Sequence, residues 1–302
     1  MAEISKFDAA DRSIGAILVD AQKIRLEDAE RIIDLQRRTG LKFGEAGIKM
    51  GILSEADIMF ALSRQFNYPY VQTATADATL SQELVTAYKP FSPEGLQIRA
   101  IRSQLQLRWL DEMGLKKSIA VVSPGAGEGR SYLAANLAIS FAQLGDNVLL
   151  VDADFVRPRQ HHLFGVGNSR GFSQVLAGKD LDSRIVPVNG FEGLHILPSG
   201  PQPPNPLELI SGAKASEYFV SIQKDYNVII FDTPSWVAGE ESQMICRYVG
   251  GAIVTAKINH TKLSDINRVV ADLNAAEIPV VGSVLFSAPS VLKKEKFLSW
   301  RK

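Results

Sequence analysis

From residue 118 to residue 286 the chain alternates short apolar runs with helical-looking segments, and this alternation constrains the fold more than any other feature. The apolar runs are IAVVS, NVLLVDAD, LHILPSG, NVIIFDTP, GAIVTAK and PVVGSVLF. Between them lie YLAANLAISFAQL, FSQVLAG, PLELISG, ASEYFVSIQKDY and SDINRVVADLNAAE. Strands that alternate with helices predict an α/β fold, a parallel sheet covered by helices on both faces. Ligands bind such sheets at the carboxyl ends of the strands. The informative residues are therefore those that end each run.

The first run ends in SPGAGEGRS, residues 123–131. Glycines let the backbone take positive φ and bring consecutive N–H groups to bear on phosphate oxygens. The helix that follows adds the positive end of its dipole. Ser131 stands where a P-loop hydroxyl reaches Mg²⁺. A tight structural turn would show the same glycines, so the loop alone leaves both readings open. Two further strand ends favour the phosphate reading. NVLLVDAD ends in Asp152 and Asp154, alternate residues that one strand would place on one face. NVIIFDTP ends in Asp232, the acidic partner expected opposite a P-loop. Carboxylates gathered at strand tips repel one another unless a cation or donor offsets them.

With those motifs goes LPSGPQPPNPLELI, whose Pro-rich stretch P-loop chemistry does not require. Residues 94–286 thereby resemble the bacterial tyrosine kinases (BY-kinases) of capsule and exopolysaccharide synthesis, P-loop NTPase-fold proteins. In combination with the N-terminal region described below, the resemblance is to the EpsG-like chain-length determinant tyrosine kinases. It implies phosphoryl transfer from ATP to a tyrosine hydroxyl. Gly125, Ala126, Gly127, Glu128, Gly129, Arg130 and Ser131, with Tyr132 following, would cradle the phosphates. Ser131, Asp152 and Asp232 would attend Mg²⁺, with Asp152 activating the incoming hydroxyl and Asp154 in support. The implied partner is a membrane chain-length determinant (Wzz-like) protein, and a homo-oligomer is a further expectation.

The chain departs from the family pattern in four places. The P-loop Lys is Arg130, a planar guanidinium that keeps the charge but grips differently. The Arg expected after the Asp pair falls at Val156, with Arg157 next. The ring-assembly motif on the leading helix keeps Arg99 and Arg102 but has Leu96 in place of Glu. The basic tail, 287–302, has no tyrosine, so a tail phosphorylation cluster is not expected. Arg130 and the tail favour an ATP-binding switch, and the resemblance favours a kinase. A partition ATPase of the MinD/ParA kind would carry an extra Lys where this chain has Gly125.

The N-terminal region reads differently. Ser13–Gln36 and Lys42–Gln65 are two 24-residue copies separated by five residues, with Gly15 matching Gly44 and Gln36 matching Gln65. Each has a polar turn followed by apolar residues at helical spacing, which predicts a small, mainly helical repeat domain over 1–72. A linker over 73–93 leads to the P-loop domain. The repeat resembles the N-terminal domain of type II secretion and pilus ATPases (MshEN-like), some of which bind cyclic di-GMP. That resemblance implies a site at Gly15, Gln36, Lys42, Gly44 and Gln65. The family's guanine-stacking Arg is Ser13 in one copy, next to Arg12, and Lys42 in the other. These departures favour a partner-docking module over a dinucleotide site.

Lys plus Arg equals Asp plus Glu, 33 each, so no net field draws the chain to nucleic acid. One cysteine, Cys246, and no apolar leader or stretch of about 18 apolar residues predict a cytoplasmic protein that meets the membrane through its partner. Cys246 and Arg247 read as packing and surface residues. Trp236 reads as either pocket or core. His161 and His162, adjacent on a helix, should diverge and make a poor metal site.

Overall fold

The computed structural model describes residues 13–65, 80–110, 117–179 and 185–287. Arg12, residues 66–79 and the tail beyond Ser287 lie outside them. The chain divides into two compact units, one comprising described residues 13–65 with Ala87–Lys89, the other residues 80–86 and the described residues from Pro90 onward.

The first unit is helical, as the repeat predicts. Its helices are α1 (Ile14–Asp20), α2 (Leu26–Thr39), α3 (Phe43–Lys49) and α4 (Glu55–Gln65). Ser13 is the N-cap of α1, its hydroxyl accepting from the Ala16 N–H at 3.3 Å. Gly40 closes α2 in the left-handed region. Ile17, Leu18, Ile32, Ala46, Leu53, Phe60 and Ala61 form one core drawn from both copies. The matched glycines are packing positions. A Cβ on Gly15 would lie 3.1 Å from the Phe43 ring, and one on Gly44 would lie 2.8 Å from Ile58.

The second unit is built on seven strands: β1 (Ser118–Val122), β2 (Val148–Asp152), β3 (Val186–Pro187), β4 (Leu194–Leu197), β5 (Val228–Asp232), β6 (Ala252–Lys257) and β7 (Val280–Phe286). Their order is β3-β4-β2-β5-β1-β6-β7. All pairings are parallel except β3 with β4. β3 is a two-residue antiparallel edge strand that the apolar pattern does not reveal. Pro187, which cannot donate to a ladder, is tolerated there because the edge needs no further partner.

Helices cover both faces. α7 (Arg130–Ala142) lies over β1, β2 and β5. On the opposite face, α9 (Phe172–Leu176), α10 (Pro206–Ser211), α11 (Ala213–Ser221) and α12 (Glu241–Val249) join a core of Leu149, Val151, Phe172, Ile210, Phe219, Phe231 and Ile245. Cys246 is fully buried within it, while Arg247 faces solvent.

The described part of the expected linker is tied down. α5 spans Val85–Tyr88 and α6 spans Pro93–Arg108. Thr86 donates its N–H (3.0 Å) and hydroxyl (2.8 Å) to Asn136 Oδ1, and Asn136 Nδ2 donates to the Glu83 carbonyl at 3.0 Å. On α6, Arg102 is buried and donates to the Ser140 carbonyl at 2.8 Å, while Arg99 stacks on Phe91 at 4.2 Å. Both arginines that the ring-assembly motif retains thus make contacts inside the chain. Among the described residues, no helix is long and apolar enough to cross a membrane.

Candidate functional site

β1 delivers the glycine-rich loop to the carboxyl edge of the sheet, and α7 begins at Arg130. Gly127 (φ +76) and Gly129 (φ +90) take the left-handed turns that curl the loop. Gly129 also lies under Phe286, whose ring would be 2.5 Å from any Cβ there. Tyr132, in the first turn of α7, meets that ring edge-on at 5.8 Å.

The loop is braced from within. The buried Glu128 carboxylate accepts from the Gly125 N–H at 2.7 Å and from the Thr261 hydroxyl at 2.5 Å. His260 Nε2 lies 3.3 Å from the Ala126 carbonyl. On the other side, the Trp236 N–H donates to the Ser123 carbonyl at 2.9 Å, and Trp236 Nε1 donates to Asp272 at 2.8 Å. Trp236 therefore anchors the loop to α13 (Leu263–Ala275).

Arg130 does not extend into solvent; it is 8% exposed. Its Nε donates to the Thr233 carbonyl at 2.9 Å, and Nη1 donates to the Ser123 hydroxyl and the Gly125 carbonyl. Nη2 lies 3.9 Å from Asp154 Oδ2. The guanidinium thus ties together the loop, the end of β5 and the turn after β2.

Asp152 and Asp232 are register partners at the ends of β2 and β5, both fully buried. Asp152 Oδ2 accepts from the N–H groups of Arg159 (3.0 Å) and Gln160 (2.9 Å). Burial, then the neighbouring Asp232 charge, raises its carboxyl well above the usual range. Burial pushes Asp232 up to about 6, against the opposing pull of Arg130, Gln160 and the nearby Ser131 hydroxyl. Asp232 Oδ1 is buried without a hydrogen-bond partner among the described atoms. Two buried carboxylates, one of them with an unpartnered oxygen, beside the Ser131 hydroxyl are a donor set suited to a hard divalent cation such as Mg²⁺.

Asp154 departs from the sequence expectation. β2 stops at Asp152, and Asp154 heads the turn that follows, its Oδ1 accepting from Val156 (3.1 Å) and Arg157 (2.8 Å). Asp side chains favour this bond to backbone two or three residues on, and it competes with continuing the strand. Gln160, absent from the expected site, is at its centre. It opens α8 (Gln160–Phe164), and its Nε2 donates to Asp232 Oδ2 at 2.8 Å and to the Ser131 carbonyl at 3.2 Å. The available signal was its place at i, i+3 and i+4 with the buried Leu163 and Phe164, a polar residue on a buried helical face. On the same helix His161 and His162 do not diverge. Their ring centroids are 3.9 Å apart, and burial followed by the His162 charge lowers the His161 pKa. No group of three or more metal-binding side chains occurs among the described residues.

In the first unit, a groove of about 700 Å³ is lined by Ser13, Gly15, Ile33, Gln36, Phe43 and Gln65, among others. It brings together Gly15, Gln36 and Gln65. Lys42 and Gly44 do not line it.

The family model described as "ParA: NUBPL iron-transfer P-loop NTPase" matches residues 114–287. Tyrosine-protein kinase YwqD of Bacillus subtilis is 31% identical over 206 residues, covering 68% of this chain and 86% of YwqD. The chain belongs to the bacterial tyrosine-protein kinases. These kinases share the P-loop NTPase fold of the matching family model, and the structure conforms to it. The crystallised chimerical protein CapA2B2 is 28% identical with a TM-score of 0.64, over 74% of this chain and 96% of that one. The septum site-determining protein MinD of Pyrococcus horikoshii, solved with Mg-ADP, is 25% identical with a TM-score of 0.50, over 57% of this chain and 70% of that one.

Proposed function

We propose that this protein binds ATP with Mg²⁺ at the 125–131 loop and transfers the γ-phosphoryl group to a tyrosine hydroxyl, acting in exopolysaccharide polymerisation, export and chain-length control. The observation that carries this reading is the register pair Asp152–Asp232 beside Ser131, with Asp232 Oδ1 left without a partner. Backbone N–H groups of the loop and of the first turn of α7 bind the phosphates. When bound, Mg²⁺ supplies charge stabilisation to the transferring group, and Ser131 and Asp232 hold it. Asp152, whose burial raises its proton affinity, accepts the proton of the attacking tyrosine hydroxyl as ADP leaves. Asp154 supports the site through Arg130 and the turn after β2.

A second reading is an ATP-binding switch with little transfer activity, and the inward fold of Arg130 favours it. Incubation with γ-labelled ATP and Mg²⁺ tests both, with and without the cytoplasmic segment of a Wzz-like membrane partner. Phosphotyrosine that disappears in Asp152→Ala supports the kinase. ATP binding without label in wild type or Arg130→Lys supports the switch.

For the N-terminal unit, the groove at Gly15, Gln36 and Gln65 supports a role in binding cyclic di-GMP or docking a partner segment. Calorimetric titration of the full chain with cyclic di-GMP separates the two. Absence of heat at high micromolar protein leaves docking.

A further inference from the structure

Gln160 joins the three pieces of the nucleotide site. Its backbone N–H donates to Asp152 Oδ2 at 2.9 Å, and its side-chain Nε2 donates to Asp232 Oδ2 at 2.8 Å and to the Ser131 carbonyl at 3.2 Å. The side chain is fully buried. The orientation of its amide is forced, because both neighbours of Nε2 are acceptors and the flipped amide would set oxygen against oxygen. Two N–H donors on one uncharged group fill both positions. A carboxylate there would offer none and would add a third negative charge.

We infer that Gln160 is a positioning residue that fixes the Asp232 carboxylate, through Oδ2, so that Oδ1 is presented to the metal that accompanies the nucleotide. Three features of the geometry carry this. Oδ2 is held by a bond of ordinary length, so the carboxylate cannot rotate freely. Asp232 Oδ1 is buried without a hydrogen-bond partner among the described residues, as is Gln160 Oε1, which the forced amide orientation turns away from both acceptors. The same Nε2 also holds the carbonyl of Ser131, so one amide sets the separation between the first turn of α7 and the end of β5. Groups that orient a metal-binding side chain typically affect metal affinity about 10- to 100-fold.

This inference rests on the nucleotide reading above, and its test separates the two. The full chain, as wild type, Gln160→Leu and Gln160→Glu, is titrated with a fluorescent ADP analogue, once in EDTA and once across a Mg²⁺ series. ADP is the probe because it cannot be turned over. Gln160→Leu keeps the volume and the backbone N–H to Asp152 while removing both side-chain donors. The expected result is ADP affinity in EDTA within about twofold of wild type, with the half-saturating Mg²⁺ concentration raised about tenfold or more. Gln160→Glu, nearly isosteric, should raise it at least as far, and it reads the same quantity should the leucine variant fail to fold. An equal loss of affinity in EDTA and in Mg²⁺ marks a merely structural residue and overturns the inference. So does an unchanged Mg²⁺ requirement. Failure of wild type to bind ADP under either condition overturns the nucleotide reading itself.

Discussion

Asp152 and Asp232 face each other in register at the tips of adjacent parallel strands, and neither is exposed to solvent. The parallel register of β2 on β5, which sets Val148 against Val228, brings the two terminal Asp residues side by side. Two buried carboxylates side by side cost stability unless a proton or a cation intervenes. The site therefore carries an electrostatic load that its proposed ligand relieves.

That load is measurable. Burial lifts the Asp232 pKa from 3.8 to about 6 in the folded chain. A raised carboxyl pKa means the folded form is favoured while the group is protonated, and that advantage fades as pH rises from about 4 through about 6. Asp232→Asn removes the ionisation. In EDTA, the stability of Asp232→Asn relative to wild type should therefore increase between pH 4 and pH 7, by up to about 3 kcal/mol. Urea denaturation at pH 4.5, 6 and 7.5 reads it, and a difference independent of pH contradicts the expectation. The same variant should lose the Mg²⁺ dependence of nucleotide binding.

Arg130 links the loop, β5 and the turn after β2 through Thr233, Ser123, Gly125 and Asp154. Arg130→Lys keeps the charge but cannot make this many directed bonds. We expect a stability loss of about 1–3 kcal/mol, the cost of leaving buried acceptors unmet. With the shorter side chain released from those acceptors, phosphotyrosine yield should rise relative to wild type under the kinase reading. Thermal melting and γ-label incorporation, run on the same preparations, check the two effects separately.

The sequence made much of this legible because the signals were local. The loop glycines, Ser131, Asp152 and Asp232 each follow or end an apolar run, and β1, β2, β4, β5, β6 and β7 arise where those runs lie. What sequence could not supply was long-range or conformational. Gln160 reaches Asp232 only because α8 folds back over the strand tips. Glu128 turns its side chain into the loop because Thr261, distant in sequence, meets it there. Asp154 left the strand because an aspartate can bond the backbone ahead of it, and strand alternation does not register that competition. The residues before α6 read as linker because their partner, Asn136, sits on a helix some fifty residues later.

The Glu128 brace predicts a loop phenotype. Thr261→Val removes the hydroxyl that accepts from the Lys257 N–H at 2.9 Å and donates to Glu128 at 2.5 Å, while keeping the shape of the side chain. Losing one bond to a buried carboxylate costs about 1.5–3 kcal/mol locally. Amide hydrogen exchange across residues 124–130 should accelerate, and ATP affinity should fall about tenfold as the loop loses its preorganisation. Unchanged exchange in that segment would mean that Glu128 holds the loop without Thr261.

Asn136 offers the last test, directed at the segment 80–86. Its side chain accepts twice from Thr86 and donates to the carbonyls of Glu83 and Tyr132 (3.0 and 2.9 Å), all within a buried stretch of α7. Asn136→Ala leaves the Thr86 N–H and the Glu83 carbonyl without these partners. Gln143 Nε2, which donates to the Thr86 carbonyl at 2.9 Å, remains, so the segment should loosen before it detaches. The expected loss is about 2–4 kcal/mol, from two orphaned backbone groups. Exchange should rise first at residues 83–86 and only later in β1 and β5. Arg159, paired with Glu83 at 2.7 Å, would lose its partner's fixed position, and its N–H also donates to Asp152. A drop in nucleotide affinity in Asn136→Ala would therefore be relayed through Arg159. Glu83→Gln, which weakens that ion pair and keeps Asn136, should reproduce the drop without the gain in exchange.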